Sequence, residues 1–430
     1  MNKRLLMVTF SAFALSLSVR VAAQLPAALS FTLEQAKEHA VKYNRTLQKA
    51  GIAVEEAHEA LWQAISAGLP KVDATVDYSN YLGFNMSLQG MSIAFNPTSS
   101  AKATLSQLVF SGAYWVGIDM AKIARKISEK SIEKTELDVK ENVTLTYYAI
   151  LLARQNKEIL LGNIANLRDI HKRTDDLARA EIVEKTNADQ IAVQVMNLEA
   201  ALHSLDRQTE LAYNMLRLHL GLAPGAELSV VGGIDDHVAA LASAGLDGKV
   251  FDLAGNIDFR LLKSQEELQQ QQIRLDRAAY LPTISGFYSY TYKIIKPAFD
   301  MSPPHVLGLQ ANIPIFSSFQ RRSKVRQSEI KLRALQTDIE QVADQLNIQE
   351  KQLRYNLRNA SEQYEIQRRN VEVSKRVFDN SVRKHEYGAI SSLDLTTANN
   401  NYLQAESNML SSKNELLKAQ TELLKLLGEL

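Results

Sequence analysis

The chain has 430 residues, enough for two or three domains, and balances 49 basic against 48 acidic side chains, which removes any general electrostatic argument for nucleic acid or an anionic surface. Cysteine is absent, which excludes disulfide support and argues against a lipid-modified N-terminal cysteine. Nine prolines and 18 glycines cluster at a few places and leave most of the chain free for long helices.

Lys3 and Arg4, then apolar Leu5 to Val19, then Val21-Ala22-Ala23, read as a secretory signal over residues 1–23. The run is too short for an anchor helix, and no other stretch approaches ~20 apolar residues. Entry into a membrane would therefore need strands. Thr32 with Gln35 three residues on forms a capping-box arrangement, predicting a helix to about Ala67, where Gly68 and Pro70 stop it. Strict alternation follows: Val72, Ala74, Val76 and Tyr78 on one side, Asp73, Thr75, Asp77 and Ser79 on the other. From about Ala101, Ala103, Leu105 and Val109 alternate with Lys102, Thr104 and Ser106. A long helix from about Gly112 to Leu177 and a return helix from about Thr186 to Leu220 complete the unit.

The unit then repeats at an offset of roughly 210 residues, far beyond solenoid periods. Ala67-Gly68-Leu69-Pro70 reappears as Ala279-Tyr280-Leu281-Pro282, and Leu108-Val109-Phe110-Ser111 as Pro314-Ile315-Phe316-Ser317. Ile284, Gly286, Tyr288, Tyr290 and Tyr292 alternate with Thr283, Ser285, Ser289 and Thr291. Leu307, Leu309, Ala311 and Ile313 alternate with Gly308, Gln310 and Asn312. Next, Val325, Leu332, Leu335, Ile339, Val342, Leu346, Leu353, Leu357, Ala360, Tyr364, Val371 and Phe378 step by threes, fours and sevens, a heptad seam. The run to about Glu386 would reach ~100 Å as straight helix. A shorter helix returns from Ser391 to Leu427.

The expected organisation is a first repeat over 24–222, with strands at about 71–110 and helices at about 112–220. A glycine-rich linker of little regular structure over 223–250 follows, save for a strand near Leu228-Ser229-Val230-Val231. The second repeat covers 251–430, with strands at about 283–313 and helices at about 318–428. The expected fold is mainly α with a small β-barrel contribution, built from two repeats of long antiparallel helical hairpins plus a strand hairpin. Strands of ~10 residues, apolar on one side, polar on the other and aromatic toward an edge, fit a water-filled transmembrane barrel. Val72, Val76, Tyr78, Leu105, Tyr288, Tyr290, Leu307 and Leu309 then face lipid, and Asp73, Thr75, Asp77, Thr104, Gln310 and Asn312 the lumen. Two soluble hairpins, each with one wet face, give the same alternation.

No glycine-rich phosphate loop occurs, the eight histidines are scattered without ligand spacing, and the carboxylates lie on helix faces. The expectation is no enzyme, no catalytic residues, no cofactor and no metal.

Three phrases carry a family resemblance: Leu33-Glu34-Gln35-Ala36 with Asn44 further on, Pro314-Ile315-Phe316, and Tyr387-Gly388-Ala389-Ile390-Ser391-Ser392-Leu393-Asp394 with Ala398, followed by Leu426-Leu427-Gly428. With the signal and the two copies, the chain from about Phe31 to Leu430 resembles the TolC-like outer-membrane efflux proteins. The resemblance implies a homotrimeric α/β-barrel duct in the outer membrane with helices crossing the periplasm, four strands per protomer in one barrel of about twelve. It also implies a periplasmic membrane-fusion (adaptor) protein docked on the hairpin tips, and an inner-membrane pump, proton-driven or ABC. The tip candidates are Glu181, Ile182, Val183 and Lys185 in the first hairpin and Gly388, Ala389, Ile390, Ser391 and Leu393 in the second. Some members constrict the entrance with acids six and nine positions after the tip glycine. Asp394 holds the first place and Thr397 the second, while the Arg and Tyr partners fall at Ile390 and His385. Asp394 is thus the candidate gate, or simply a helix cap. The function implied is a passive export duct of a tripartite efflux or type I secretion system. The alternative is a secreted periplasmic coiled-coil scaffold without a pore.

Overall fold

The computed structural model describes residues 29–88, 91–243, 245–297, 300 and 302–430; the expected signal over residues 1–23 lies outside them. The first copy runs β1 (Leu29–Phe31), α1 (Leu33–Tyr43), α2 (Arg45–Ser66), β2 (Lys71–Ser79), the small hairpin β3 (Asn85–Leu88) and β4 (Met91–Ala94), β5 (Thr98–Ser111), α3 (Gly112–Arg179) and α4 (Lys185–Leu220). The second runs β6 (Leu228–Val230), α5 (Ile234–Ser243), α6 (Ile257–Ala278), β7 (Thr283–Ile295), β8 (His305–Asn312), α7 (Gln320–Glu386) and α8 (Ser392–Leu427).

The heptad seam explains α7. Ile339, Leu346, Leu353, Leu357 and Phe378 are buried and the remaining seam positions half-buried, so one stripe of the helix holds it against α8. Helix α3 has 68 residues and α7 has 67. At 1.5 Å per residue each is ~100 Å long. Their return helices α4 and α8 have 36 residues each and end on Gly221 and Gly428, both left-handed.

The single helix predicted from Thr32 to Ala67 is two helices. Its capping box is present at Thr32, but the chain breaks at Asn44, whose backbone is extended. The Asn44 side chain accepts the N–H groups of Thr46 (2.8 Å) and Leu47 (3.2 Å) and donates to the His219 carbonyl (2.7 Å). Asn256 repeats this in the second copy: it accepts from Asp258 (3.0 Å) and Phe259 (3.3 Å) and donates to the Leu426 carbonyl (3.2 Å). One amide thus caps the start of a helix and satisfies an orphan carbonyl at the end of another, closing each copy on itself. The approach is tight in the first copy: a Cβ on Gly221 would lie 2.1 Å from the Tyr43 carbonyl oxygen.

The segment expected as irregular linker carries regular structure. Strand β6 pairs in parallel with β1, with Leu29 opposite Leu228, so the start of one copy is stitched to the start of the other. Leu228, Val230, Ile234 and Leu246 are buried. The glycines there punctuate short apolar elements rather than loosening them. The main core joins α1, α3, α4 and this stitch through Ala36, Ala40, Val143, Leu151, Leu216 and Leu220. The buried Tyr147 hydroxyl sits between the Phe31 and Val231 carbonyls.

Candidate functional site

Two regions carry the expected functional residues: the sheet at one end of the helices and the hairpin tips at the other. The sheet is antiparallel throughout, ordered β2-β5-β7-β8, so β2 and β8 are open edges. Its register gathers the alternating residues into rows. Val72, Leu105, Tyr288 and Leu307 form one row across all four strands, and Gly286 with Leu309 continues the same face. Val76 and Tyr78 share that face on β2. The Tyr290 ring lies tilted beside His305 (ring centroids 4.9 Å apart), and the Tyr288 hydroxyl is 2.8 Å from His305 Nδ1, so the aromatic groups collect toward the end far from the helices.

The opposite face has Asp73 beside Thr104 and Ser289, Thr75 beside Lys102 and Thr291, Gln310 beside Ser285, and Asn312 beside Thr283. Asp77 accepts a hydrogen bond from the Ser100 hydroxyl at 2.7 Å. This face is not purely polar. Phe287 lies on it, over Gly308, as do Val306 and Leu108. A register shift between Leu108 and Phe110 lets β5 bend into α3. Among the described residues no helix is long and apolar enough to cross a membrane.

At the tips, the second hairpin turns through Gly388 (φ +69°), with the Ala389 N–H bonded to the Lys384 carbonyl at 2.9 Å. The first makes the same turn through Glu181 (φ +58°), with the Ile182 N–H bonded to the Leu177 carbonyl at 3.0 Å. Glu181, Ile182, Lys185, Ala389, Ser391, Leu393 and Asp394 are exposed and Val183 half-buried. Ile390 turns inward instead, packing on the core that holds Leu395, Phe378 and Leu167. Tyr387, which opens the quoted motif but is not among the tip candidates, is the largest exposed ring at this end. Ser391 caps α8 and Asp394 completes a capping box: the Asp394 N–H donates to Ser391 Oγ (3.2 Å), and Asp394 Oδ2 accepts from the Ser391 N–H (3.2 Å) and hydroxyl (2.8 Å). Asp394 is therefore a cap whatever else it does. His385 lies 3.1 Å from the buried Ser392 hydroxyl, and burial pushes its pKa down.

Polar ties join the two hairpins along their length. Arg173 meets Glu386 at 2.5 Å. Glu406 accepts from the Tyr402 hydroxyl (2.5 Å) and the Asn163 amide (3.3 Å), and burial raises its pKa. Lys413, only 1% exposed, reaches Asp235 (2.5 Å) and Gln155 (3.0 Å). Lys425 bridges to Asp138 (2.5 Å) and Glu141 (2.7 Å). Heptad spacing places Ser392, Asn399, Glu406 and Lys413 on one line of α8. Asn399 is fully buried and its amide has no hydrogen-bond partner.

Residues 253–429 match the family model described as outer membrane efflux protein. This chain carries an outer membrane efflux protein domain. The efflux-protein domain spans α6 through α8, and the first repeat builds the same shape ahead of it. No curated protein matches the chain. Among solved structures, CusC is similar at 16% identity and a TM-score of 0.77, with 92% of this chain and 91% of that one covered. The Campylobacter jejuni CmeC outer membrane channel gives 18% and 0.75, covering 92% and 85%. The open state of the Neisseria gonorrhoeae MtrE outer membrane channel gives 16% and 0.71, covering 92% and 88%. At these identities the likeness establishes a TolC-like fold. The family model describes an outer membrane efflux protein, and two of the solved structures that share the fold are outer membrane channels. The match over residues 253–429 is to a protein of the outer membrane.

Proposed function

We propose that this protein is the passive outer-membrane duct of a tripartite efflux or type I secretion system. The observation that carries this is the open four-stranded sheet, apolar on one face, set at the end of two ~100 Å helical hairpins. Four strands leave β2 and β8 with unpaired backbone groups, which hydrocarbon does not tolerate. Three copies joined β8 to β2 give about twelve strands and no edges. The row through Val72, Leu105, Tyr288 and Leu307 then meets lipid, and Asp73, Thr75, Asp77, Thr104, Gln310 and Asn312 line water.

A periplasmic adaptor docks on the tips through Ile182, Tyr387, Ala389 and Leu393, exposed apolar groups on turns that water would otherwise surround. An inner-membrane pump, proton-driven or ABC, supplies the energy, and the duct supplies only a path. Docking separates the hairpins and the solute passes down the lumen. Asp394, present three times around the axis, is the candidate constriction. The test is assembly and conduction. Outer-membrane fractions in mild detergent should give a three-chain species that collapses on boiling, and purified protein should open ion-conducting pores in planar bilayers. A monomer that conducts nothing overturns the proposal.

A further inference from the structure

The corners where sheet meets helix come in two kinds, each present twice. One kind leads from a helix into a strand: Leu69-Pro70 before β2 and Leu281-Pro282 before β7. The other leads from a strand into a long helix: Ser111–Gly112 after β5 and Ile313–Phe319 after β8. Inside the protomer one corner of each kind meets. Leu281 lies so close to Gly112 that a Cβ there would be 2.5 Å from Leu281 Cδ1.

The other two corners cannot meet in one protomer, because β2 and β8 are opposite edges of the sheet. Both are uncovered. Ile315 is 93% exposed, Phe316 76% and Phe319 68%, while Leu69 and the nearby Trp62 are also exposed. The second corner is nonetheless held in a definite shape. Ser318 (φ +47°) and Phe319 (φ +63°) are both left-handed, a conformation rare for a bulky side chain and kept only where the surroundings require it. Arg321 donates to the Pro314 carbonyl at 3.3 Å and lies 5.9 Å from the centre of the Tyr280 ring. The Phe316 and Phe319 rings meet edge to face, 6.3 Å apart.

We propose that the Ile313–Phe319 corner of one protomer receives the Leu69-Pro70 corner of the next, making the aromatic wedge a joint between copies. This rests on the trimeric duct proposed above. Sheet continuity names the occupant. β8 runs toward the helices and β2 away from them, so pairing β8 with a neighbour's β2 is antiparallel, like every other pair in the sheet. That pairing sets the corner that follows β8 beside the corner that precedes the neighbour's β2. The joint repeats between copies what Leu281 and Gly112 do within one. α3 follows β5 without a break, whereas Ile313–Phe319 separates β8 from α7, so the second gap is wider and aromatic rings fill it.

The chain has no cysteine, so a pair of introduced thiols reports cleanly. Leu69→Cys combined with Phe316→Cys, treated in membranes with a short bis-maleimide, should give covalent dimers and trimers on a denaturing gel, and neither single variant should. The Leu69→Cys with Ile315→Cys pair serves if the first does not assemble. Heat-resistant trimers without linkage in either pair overturn the joint and leave the duct standing. Absence of wild-type trimers overturns both. If the wedge instead faces lipid, a membrane-soluble maleimide labels Phe316→Cys fully in the assembled trimer, which also overturns the joint.

Discussion

The side chain of Asn44 and that of Asn256 do the same two jobs, yet the glycines they close upon are not equivalent. Both Gly221 and Gly428 are left-handed, but only Gly221 abuts another backbone, at Tyr43. Gly428→Ala should therefore cost about 1 kcal/mol of strain. Gly221→Ala adds a clash with a carbonyl that α1 cannot move, and should lower the melting temperature of the purified protein several-fold further. Equal shifts in the two variants would contradict this. Glu406 gives a pH dependence. Burial raises its folded pKa above the ordinary 4.5, opposed by hydrogen bonds from Tyr402 and Asn163 and by the nearby charge of Lys375. The folded state then binds its proton more tightly than the unfolded chain does. The contribution is fully present below the unfolded pKa and is lost as pH rises through the raised one. Glu406→Gln should flatten that fall, which sets in above the ordinary 4.5, in thermal melts followed by circular dichroism. An unchanged profile would remove Glu406 as its source.

Among the elements, the strands give the sharpest contrast. Val76→Arg or Leu309→Arg, on the apolar face, should cost ~2–4 kcal/mol near mid-bilayer. Thr75→Arg or Gln310→Arg, on the other face, should fold normally and change conductance. Heat-modifiability of the trimer and single-channel current read the two effects, and equal damage from both faces would defeat the assignment. At the tips, Ile182→Asp with Leu393→Asp should stop export while trimers still insert; both point outward, unlike Ile390, whose replacement would disturb the core beneath. Normal export by that double variant would clear the tips of a docking role. Asp394→Ala removes the carboxylate half of the capping box and keeps the Ser391 cap, a loss of about 0.3–1 kcal/mol. If three Asp394 side chains also constrict the entrance, planar-bilayer recordings of this variant should show weaker cation selectivity and less block by magnesium. Unchanged selectivity and block would leave only the cap.

These elements were legible in the sequence to different degrees, for physical reasons. The long helices announced themselves through a seam of apolar residues sustained over many turns, and the strands through strict alternation. The break at Asn44 did not, because neither proline nor glycine marks it; the signal was an asparagine whose amide finds a carbonyl in a helix far along the chain. Its counterpart Asn256 would have exposed it, had the two copies been aligned there. Helix α5 hid between glycines. Glu181 occupies a backbone position that the second hairpin gives to glycine, so only the geometry of both turns reveals their equivalence. Phe287 broke the alternation and was passed over; Gly308, which makes room for its ring, was the clue. The polar line on α8 was obscured by its burial, which sequence cannot report.

For the whole molecule, the lengths of the helices matter as much as their faces. Helices α3 and α7 differ by a single residue, and α4 and α8 not at all. The two repeats therefore carry long helices and return helices of matched length. In the proposed trimer, three copies of such a pair would set six turns at one altitude, a level rim against which the proposed adaptor would seat squarely. Removing one heptad from a single long helix would drop its tip about 10 Å below its neighbours. Any lengthening or shortening of the duct must then be made in both halves of the chain together, so the duplicated halves act as a matched pair of measuring rods.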